Sequence, residues 1–318
     1  MAGIVTLTLN PTIDGASDAE TVQHTRKIRT VNERFDPGGG GINVARVLAR
    51  LGADVEALYL AGGVTGPVLR GLLDRTGLHN RAIAIAGDTR ISLAVHERNS
   101  GREYRFVPEG PHVTAAECQY CLEQLASLDC GWLVLSGSLP PGVPDDFYVD
   151  VLKIAHARRI SMVLDTSGAA LKATLAHGGV RLVKPSLGEM EQLAGRPLPD
   201  EAQIIDAARA VVAAGGAQTV AVSLGHRGAV LVEAGRALVL PAIPVEIRSA
   251  VGAGDSFVAG MVFGLAQGWD AEQAFRFGMA AGTAAVLTPG TDLCHRADVE
   301  RMAALVGIAS LQGGDGAS

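Results

Sequence analysis

The chain predicts a doubly wound, open α/β domain, with a mostly parallel sheet carrying helices on both faces. Three observations carry that expectation. From residue 114 to residue 224, helical stretches alternate strictly with short strand-like runs. Those runs, such as Trp132-Leu-Val-Leu-Ser136 and Ser161-Met-Val-Leu-Asp165, are nearly all apolar, which signals burial on both faces and so a parallel sheet. Repeated βα units of this length build open α/β sheets, and 318 residues suit one large domain of that kind.

In order along the chain, residues 4–9 read as a first strand, ended by the turn signal Asn10-Pro11. Residues 11–36 are polar and lack a helical period, so they are expected to form part of a small β-rich lid outside the main domain. Gly38-Gly-Gly-Gly41 leads into an amphipathic helix over 42–51, then a strand over 55–61 and a helix over 65–76 stopped by Gly77. Residues 91–97 and 103–107 alternate around Asn99-Ser-Gly101, a hairpin signature, and supply the second lid segment, about 88–109. Helices over 114–127, 145–158, 168–176 and 201–214 then alternate with strands over 132–136, 161–165, 180–184 and 219–224. A β-meander is expected over 229–240, helices over 254–267, 270–287 and 297–307, and a disordered tail over 312–318.

The net charge of −6 excludes electrostatic capture of nucleic acid or of an anionic membrane, so any phosphate site must be local. No run of about 18 apolar residues exists, so no membrane span is expected. The first ten residues lack a basic leader and alternate as a strand does; the cytoplasm is the expected compartment. Cys118 and Cys121 form a CxxC with no second ligand pair at zinc spacing, so they read as plain thiols of a reducing compartment.

The feature richest in chemistry is Ser249-Ala-Val-Gly252-Ala-Gly254-Asp255-Ser256, followed by a long apolar helix. Gly252, Ala253 and Gly254 would turn their amides inward at a helix N-terminus, where the macrodipole favours an anion. Asp255 in the first turn would take a proton from an attacking hydroxyl while the amides hold a transferring phosphoryl group. The plainer reading is a capping Asp after a Gly-rich turn. In Pro37-Gly38-Gly39-Gly40-Gly41-Ile-Asn43, the glycines let a ligand approach the backbone, with Asn43 placed to bond sugar hydroxyls. Ser136-Gly-Ser138-Leu-Pro-Pro-Gly142, Lys184-Pro-Ser186-Leu-Gly-Glu189 and Ser223-Leu-Gly225-His-Arg-Gly228 each follow a predicted strand. Lys184 would reach ATP phosphates, and Glu189 would hold Mg²⁺ through water. Any of these can be an ordinary turn; together, at successive strand ends, they point to one ligand crevice.

These residues resemble the ribokinase-like (PfkB) carbohydrate kinases over essentially the whole chain. Two signatures carry the resemblance, the Gly-rich stretch Gly38–Ala45 and Val251-Gly-Ala-Gly-Asp255-Ser. Thr6–Asp14, Tyr104-Arg-Phe106, Ser136–Val143, Val222-Ser-Leu-Gly225 and Gly290–Cys294 resemble the 6-phosphofructokinase subgroup of that family. The resemblance implies a three-layer fold with a β-sheet lid, dimerisation through that lid, and ATP-dependent, Mg²⁺-requiring phosphorylation of a sugar. It implies Asp255 as base and Gly252, Ala253 and Gly254 as anion hole. Asp14, Gly39, Gly40, Asn43 and Ser138 would contact the sugar, and Lys27, Arg29, Arg90 and Arg105 its existing phosphate. Lys184, Ser223, Gly225 and Gly228 would contact the nucleotide. Ser249, Val251, Ala285 and Gly290 would form a K⁺ site. Two positions depart from the pattern: Ser186 and Thr288 stand where the family usually has Asn.

The expected reaction is phosphorylation of fructose 6-phosphate to fructose 1,6-bisphosphate. Kinases of fructose 1-phosphate or tagatose 6-phosphate usually carry a Lys within the Gly-rich stretch, which this chain lacks. Those substrates are the alternative, and a sugar-phosphate-binding regulator of weak activity, suggested by Ser186, is a third reading that the intact Gly-Ala-Gly-Asp disfavours.

Overall fold

The computed structural model describes residues 3–288, 290 and 292–308. The tail over 312–318 lies outside them. β1 (Ile4–Thr8) is fully buried, as an apolar central strand must be. The chain then leaves the main body for β2 (Thr12–Ala19) and β3 (Thr30–Gly38) and returns as α1 (Gly40–Leu51). β4 (Val55–Gly62), α2 (Gly66–Asp74) and β5 (His79–Ile85) follow, before a second excursion through β6 (Arg90–Glu97) and β7 (Glu103–Phe106). The βα rhythm resumes with α3 (Ala115–Ala126), β8 (Trp132–Ser136), α4 (Phe147–Ala157), β9 (Ser161–Asp165) and α5 (Gly168–His177). It continues through β10 (Val180–Val183), α6 (Leu187–Ala194), α7 (Glu201–Ala213) and β11 (Ala217–Ser223). β12 (Ala229–Glu233) and β13 (Arg236–Leu240) precede α8 (Ala253–Ala266), α9 (Ala271–Val286) and α10 (Arg296–Leu305).

Nine strands form one sheet in the order β13-β12-β11-β10-β9-β8-β1-β4-β5, parallel except where β12 pairs with β11 and β13. One apolar core packs α1, α2, α8, α9 and α10 on one face; a second packs α3 to α7 on the other. This is the expected three-layer, mostly parallel architecture. Strand order reverses between β1 and β8, and the crevice at the carboxyl ends of strands beside such a switch point is where open α/β sheets bind ligands.

The two excursions meet in a separate four-stranded sheet, β3-β2-β6-β7, which is the lid. Two elements went unread in the sequence. β5 is the outermost strand on its side and carries a polar start, His79-Asn-Arg81, so it lacks the apolar run of the inner strands. α6 is only eight residues long. Its signal was Ser186-Leu-Gly-Glu189, a capping box in which the Ser hydroxyl accepts from Glu189 N–H and the Glu carboxylate accepts from Ser186 N–H. Cys118 and Cys121 are both buried in α3 as free thiols.

Candidate active site

Gly252 caps the start of α8, and its φ of 71° lies in the left-handed region that glycine adopts without a Cβ penalty. Ser256 N–H donates to Gly252 C=O at 2.8 Å and opens the helical ladder, so the earlier amides of Ala253 and Gly254 have no acceptor within the helix. Asp255 stands in that first turn, enclosed by protein but open to a cavity of about 270 Å³ at the switch point. Gly40, Ser138, Asp165 and Glu189 line the same cavity. Asn43, in the first turn of α1, donates from Nδ2 to Asp255 Oδ2 at 2.9 Å.

Burial pushes the Asp255 carboxyl up to about 6, and the charge of Asp165 adds to the effect; the Asn43 hydrogen bond and the Lys184 ammonium oppose it. Lys184 Nζ lies 3.0 Å from Asp165 Oδ1 in a buried ion pair. Burial pulls the Lys184 ammonium down, but Asp165 more than compensates and holds it above its ordinary value. A Cβ added at Gly254 would stand 3.6 Å from that Nζ, so the ammonium flanks the free amides. A carboxylate of raised basicity, two free N–H groups and a cation therefore converge on one pocket. That set can remove a proton from a hydroxyl and neutralise a migrating phosphoryl group.

On one side lies a cavity of about 610 Å³ lined by Ser223, Gly225, Gly228 and Gly254, with Ile243 and Met279 among its apolar walls. Its shape and lining suit a flat aromatic base. On the other side, under the lid, a cavity of about 720 Å³ holds Asp14, Arg105, Val251 and Gly290. Burial, above all, raises the Asp14 carboxyl. A Cβ on Gly38 would overlap the Asp14 carboxylate, and one on Gly39, at φ 109°, would strike Thr8 and Pro11. Ser138 accepts a 3.2 Å hydrogen bond from Asn10 Nδ2.

A profile of the pfkB family carbohydrate kinases matches residues 8–298, a span that holds Asp14, the glycine run and Asp255. The chain belongs to the pfkB family of carbohydrate kinases. It is 43% identical over 300 residues to the ATP-dependent 6-phosphofructokinase isozyme 2 of Mycobacterium tuberculosis, covering 94% of this chain and 88% of that one. It is 40% identical over 303 residues to the Escherichia coli enzyme of the same name, covering 95% of this chain and 98% of that one. The crystal structure of Escherichia coli phosphofructokinase-2 with potassium superimposes with a TM-score of 0.93 at 39% identity, over 96% and 99% of the two chains. Its complex with fructose 6-phosphate gives 0.91 at 38% identity, with the same coverage.

Not every basic residue expected at this pfkB-family site reaches it. Lys27 and Arg29 are exposed in the β2–β3 connection, at the end of the lid far from Gly38. Arg90 stands at the lid hinge, where its guanidinium donates to the carbonyls of Asn10 at 2.9 Å, Pro108 at 2.8 Å and Pro11 at 3.4 Å and its charge acts on Asp14. Arg105 does line the lid cavity, loosely paired with Glu103 at 3.9 Å. Asp165, Arg34 and Arg248 also line the two cavities and were not singled out in the sequence. For Asp165 a signal existed, a carboxylate ending the buried strand Ser161–Asp165.

The metal-site residues of the pfkB-family reading fall in two places. Glu189 Oε2 accepts from Ser186 N–H at 2.7 Å and from Ser186 Oγ at 2.9 Å, while its carboxylate borders the Asp255 cavity together with Asp165. The described residues contain no cluster of three or more His, Cys, Asp or Glu able to cage a metal. Two carboxylates beside a phosphate pocket, with no protein cage, fit Mg²⁺, which keeps its waters and shares its shell with substrate phosphates. Ser249 Oγ donates to Gly290 C=O at 2.9 Å and accepts from Val251 N–H at 3.2 Å. Thr288 Oγ1 donates to Ala285 C=O at 2.7 Å and Arg248 N–H to Val286 C=O at 2.8 Å, so these candidate K⁺ ligands gather where the segment before α8 meets the carboxyl end of α9. No described helix is long and apolar enough to cross a membrane.

Proposed function

We propose that this kinase transfers the γ-phosphoryl group of ATP to the C1 hydroxyl of fructose 6-phosphate, giving fructose 1,6-bisphosphate and ADP. The observation that carries the reading is the position of Asp255, in the first turn of α8 next to the free amides of Ala253 and Gly254. The hydroxyl proton passes to Asp255, which is ionised at neutral pH yet more basic than an ordinary carboxylate. Gly252 to Gly254 and Lys184 take up the charge on the phosphoryl group in flight. The sugar lies against Gly39, Gly40, Asn43, Ser138 and Asp14; the nucleotide lies along Ser223, Gly225 and Gly228. Identity of 40% or more to two enzymes named 6-phosphofructokinase isozyme 2, and a Gly-rich stretch without Lys, support fructose 6-phosphate over the isomeric ketose phosphates.

Glu189 and Asp165 would hold Mg²⁺ through its waters, and the ion would neutralise the nucleotide phosphates. Ser249, Val251 and Gly290, with Ala285 at the end of α9, would take K⁺. The lid would pair two copies of the chain. Register places Phe35, Gly15, Leu93 and Phe106 in one row across the lid, and the three apolar side chains are 52%, 47% and 59% exposed respectively. Such a row reads as an interface.

ADP release measured with fructose 6-phosphate, tagatose 6-phosphate, fructose 1-phosphate and fructose, each with ATP, Mg²⁺ and K⁺, tests the assignment. The highest kcat/KM is expected for fructose 6-phosphate. A higher value for another ketose phosphate reassigns the substrate, and tight sugar-phosphate binding without turnover makes the chain a regulator.

A further inference from the structure

α1 reaches the start of α8 twice. Its first turn does so directly, through Asn43 on Asp255. Its last turn carries Arg50, seven residues on and so roughly 10 Å further along the axis. The Arg50 guanidinium grips the segment between α9 and α10. Nη1 donates to the carbonyls of Leu293 at 2.5 Å and Cys294 at 3.1 Å, and Nη2 pairs with Asp292 Oδ1 at 3.1 Å. The Asp292 carboxylate also accepts from Leu293 N–H at 2.8 Å, and Asp292 C=O accepts from Thr288 Oγ1 at 2.9 Å. Burial alone would raise the Asp292 carboxyl, but the hydrogen bond and charge of Arg50, with the Leu293 amide, outweigh it and hold the group below its ordinary value.

The segment that Arg50 holds lies against the candidate anion hole. Leu293 is 1% exposed, and a Cβ on Gly252 would come within 2.5 Å of its Cδ2, so the left-handed turn at Gly252 rests on this side chain. Cys294 is equally buried and sets its thiol beside the Ser256 hydroxyl, one residue after Asp255. The stretch from Ser249 to Gly252 belongs to no helix or strand, so its shape depends on what packs against it. Arg50 itself lines none of the three cavities of the site.

We infer that Arg50 is a positioning residue for phosphoryl transfer: by anchoring Asp292, Leu293 and Cys294 it holds Gly252 and Ser256, and with them the amides of Ala253 and Gly254, in the geometry that receives the phosphoryl group. The inference rests on the reading of those amides as the anion hole. A misplacement of about 1 Å in a group that meets the transition state can cost about 10²-fold in rate, and such a loss falls on kcat rather than on KM.

The test is steady-state kinetics of Arg50→Ala and Arg50→Lys, with hydrogen exchange read by mass spectrometry on the same proteins. In Arg50→Ala kcat should fall about tenfold or more, while KM for fructose 6-phosphate and for ATP stays within about twofold of wild type. Arg50→Lys keeps a cation that can donate to carbonyls and should recover part of the loss. Leu293→Ala leaves the backbone acceptors of Arg50 in place but removes the support under Gly252, so it should show the same split between kcat and KM. The double variant should lose little more than the worse single, because both changes act on one element. Hydrogen exchange in Arg50→Ala should rise at the start of α8 and over Asp292 to Cys294, and stay at the wild-type rate in β1, β8 and β9. An unchanged kcat, or a loss carried by KM, overturns the inference. So does a rise in exchange across the whole chain, which would make Arg50 a plain stabilising residue. If the wild type turns over no ketose phosphate, the substrate reading fails separately and exchange decides: a rise confined to those two segments upholds the anchor, and no rise there overturns it.

Discussion

Asn43 Nδ2 donates to Asp255 Oδ2 at 2.9 Å, across 212 positions of sequence, and ties the first turn of α1 to the first turn of α8. The bond occupies one carboxylate oxygen and leaves the other to act as base. It also favours the charged form of a group that burial would otherwise keep protonated.

The pH dependence of turnover follows from that balance. Asp255 must be ionised to accept a proton, so kcat/KM should fall on the acid side with a midpoint near the carboxyl's value of about 6. Asn43→Ala removes a bond that holds this value down, so its acid limb should move to higher pH. A wild-type limb near that of a free carboxylate, or a limb that does not move in Asn43→Ala, contradicts the arrangement.

The same shift bears on stability. Burial pushes the Asp255 carboxyl up to about 6 in the folded chain, against about 4 for an exposed carboxyl, so the folded state binds more protons between those pH values. Stability contributed by this group is greatest below about 4 and is lost as pH rises through 6. Asp255→Asn should therefore be more stable than wild type at pH 7, by about 1–2 kcal/mol. That is less than the full shift implies, because the cavity lets water reach the carboxylate. Urea unfolding at pH 7 and pH 4 reads the difference, which should shrink at the lower pH. A variant less stable than wild type at pH 7 goes against it.

The Lys184–Asp165 pair has side chains only 7% and 14% exposed. Removing one partner leaves a buried charge alone, which costs about 3–5 kcal/mol. Lys184→Met should lose about that much, and Lys184→Met with Asp165→Leu should lose clearly less than the single variant. Denaturant midpoints at constant slope measure both. Equal losses would mean that the two charges do not depend on each other.

Close helix packing positions α8 beneath the site. A Cβ at Gly260 would come within 2.9 Å of the Gly278 Cα, the Phe277 carbonyl oxygen and the Ala281 Cβ of α9. Backbone cannot rotate away as a long side chain can, so Gly260→Ala should cost about 1–3 kcal/mol by overpacking. Thermal unfolding measures it, and a neutral or stabilising result would show that α8 and α9 separate freely.

Much of this was legible because it is local. The glycine run and Gly252-Ala-Gly-Asp255 announce helix N-termini, and apolar strand runs announce a parallel sheet. β5 hid because an outer strand keeps polar residues, and α6 because its capping box was read only as metal chemistry. The family resemblance, carried over by position, puts Lys27, Arg29, Arg90 and Arg105 on the substrate phosphate. Which arginines face the cavity depends on strand register, so Arg34 emerges only when β3 is set against β2 and β6. Likewise, Asp165 gains meaning only once β9 and β10 lie side by side and bring Lys184 to it.

The most direct test of Asp255 as the base is the turnover of Asp255→Asn with fructose 6-phosphate and ATP, paired with sugar-phosphate binding by calorimetry. The expected result is a loss of roughly 10²–10⁴-fold in kcat with binding retained. Turnover near that of the wild type would contradict the account.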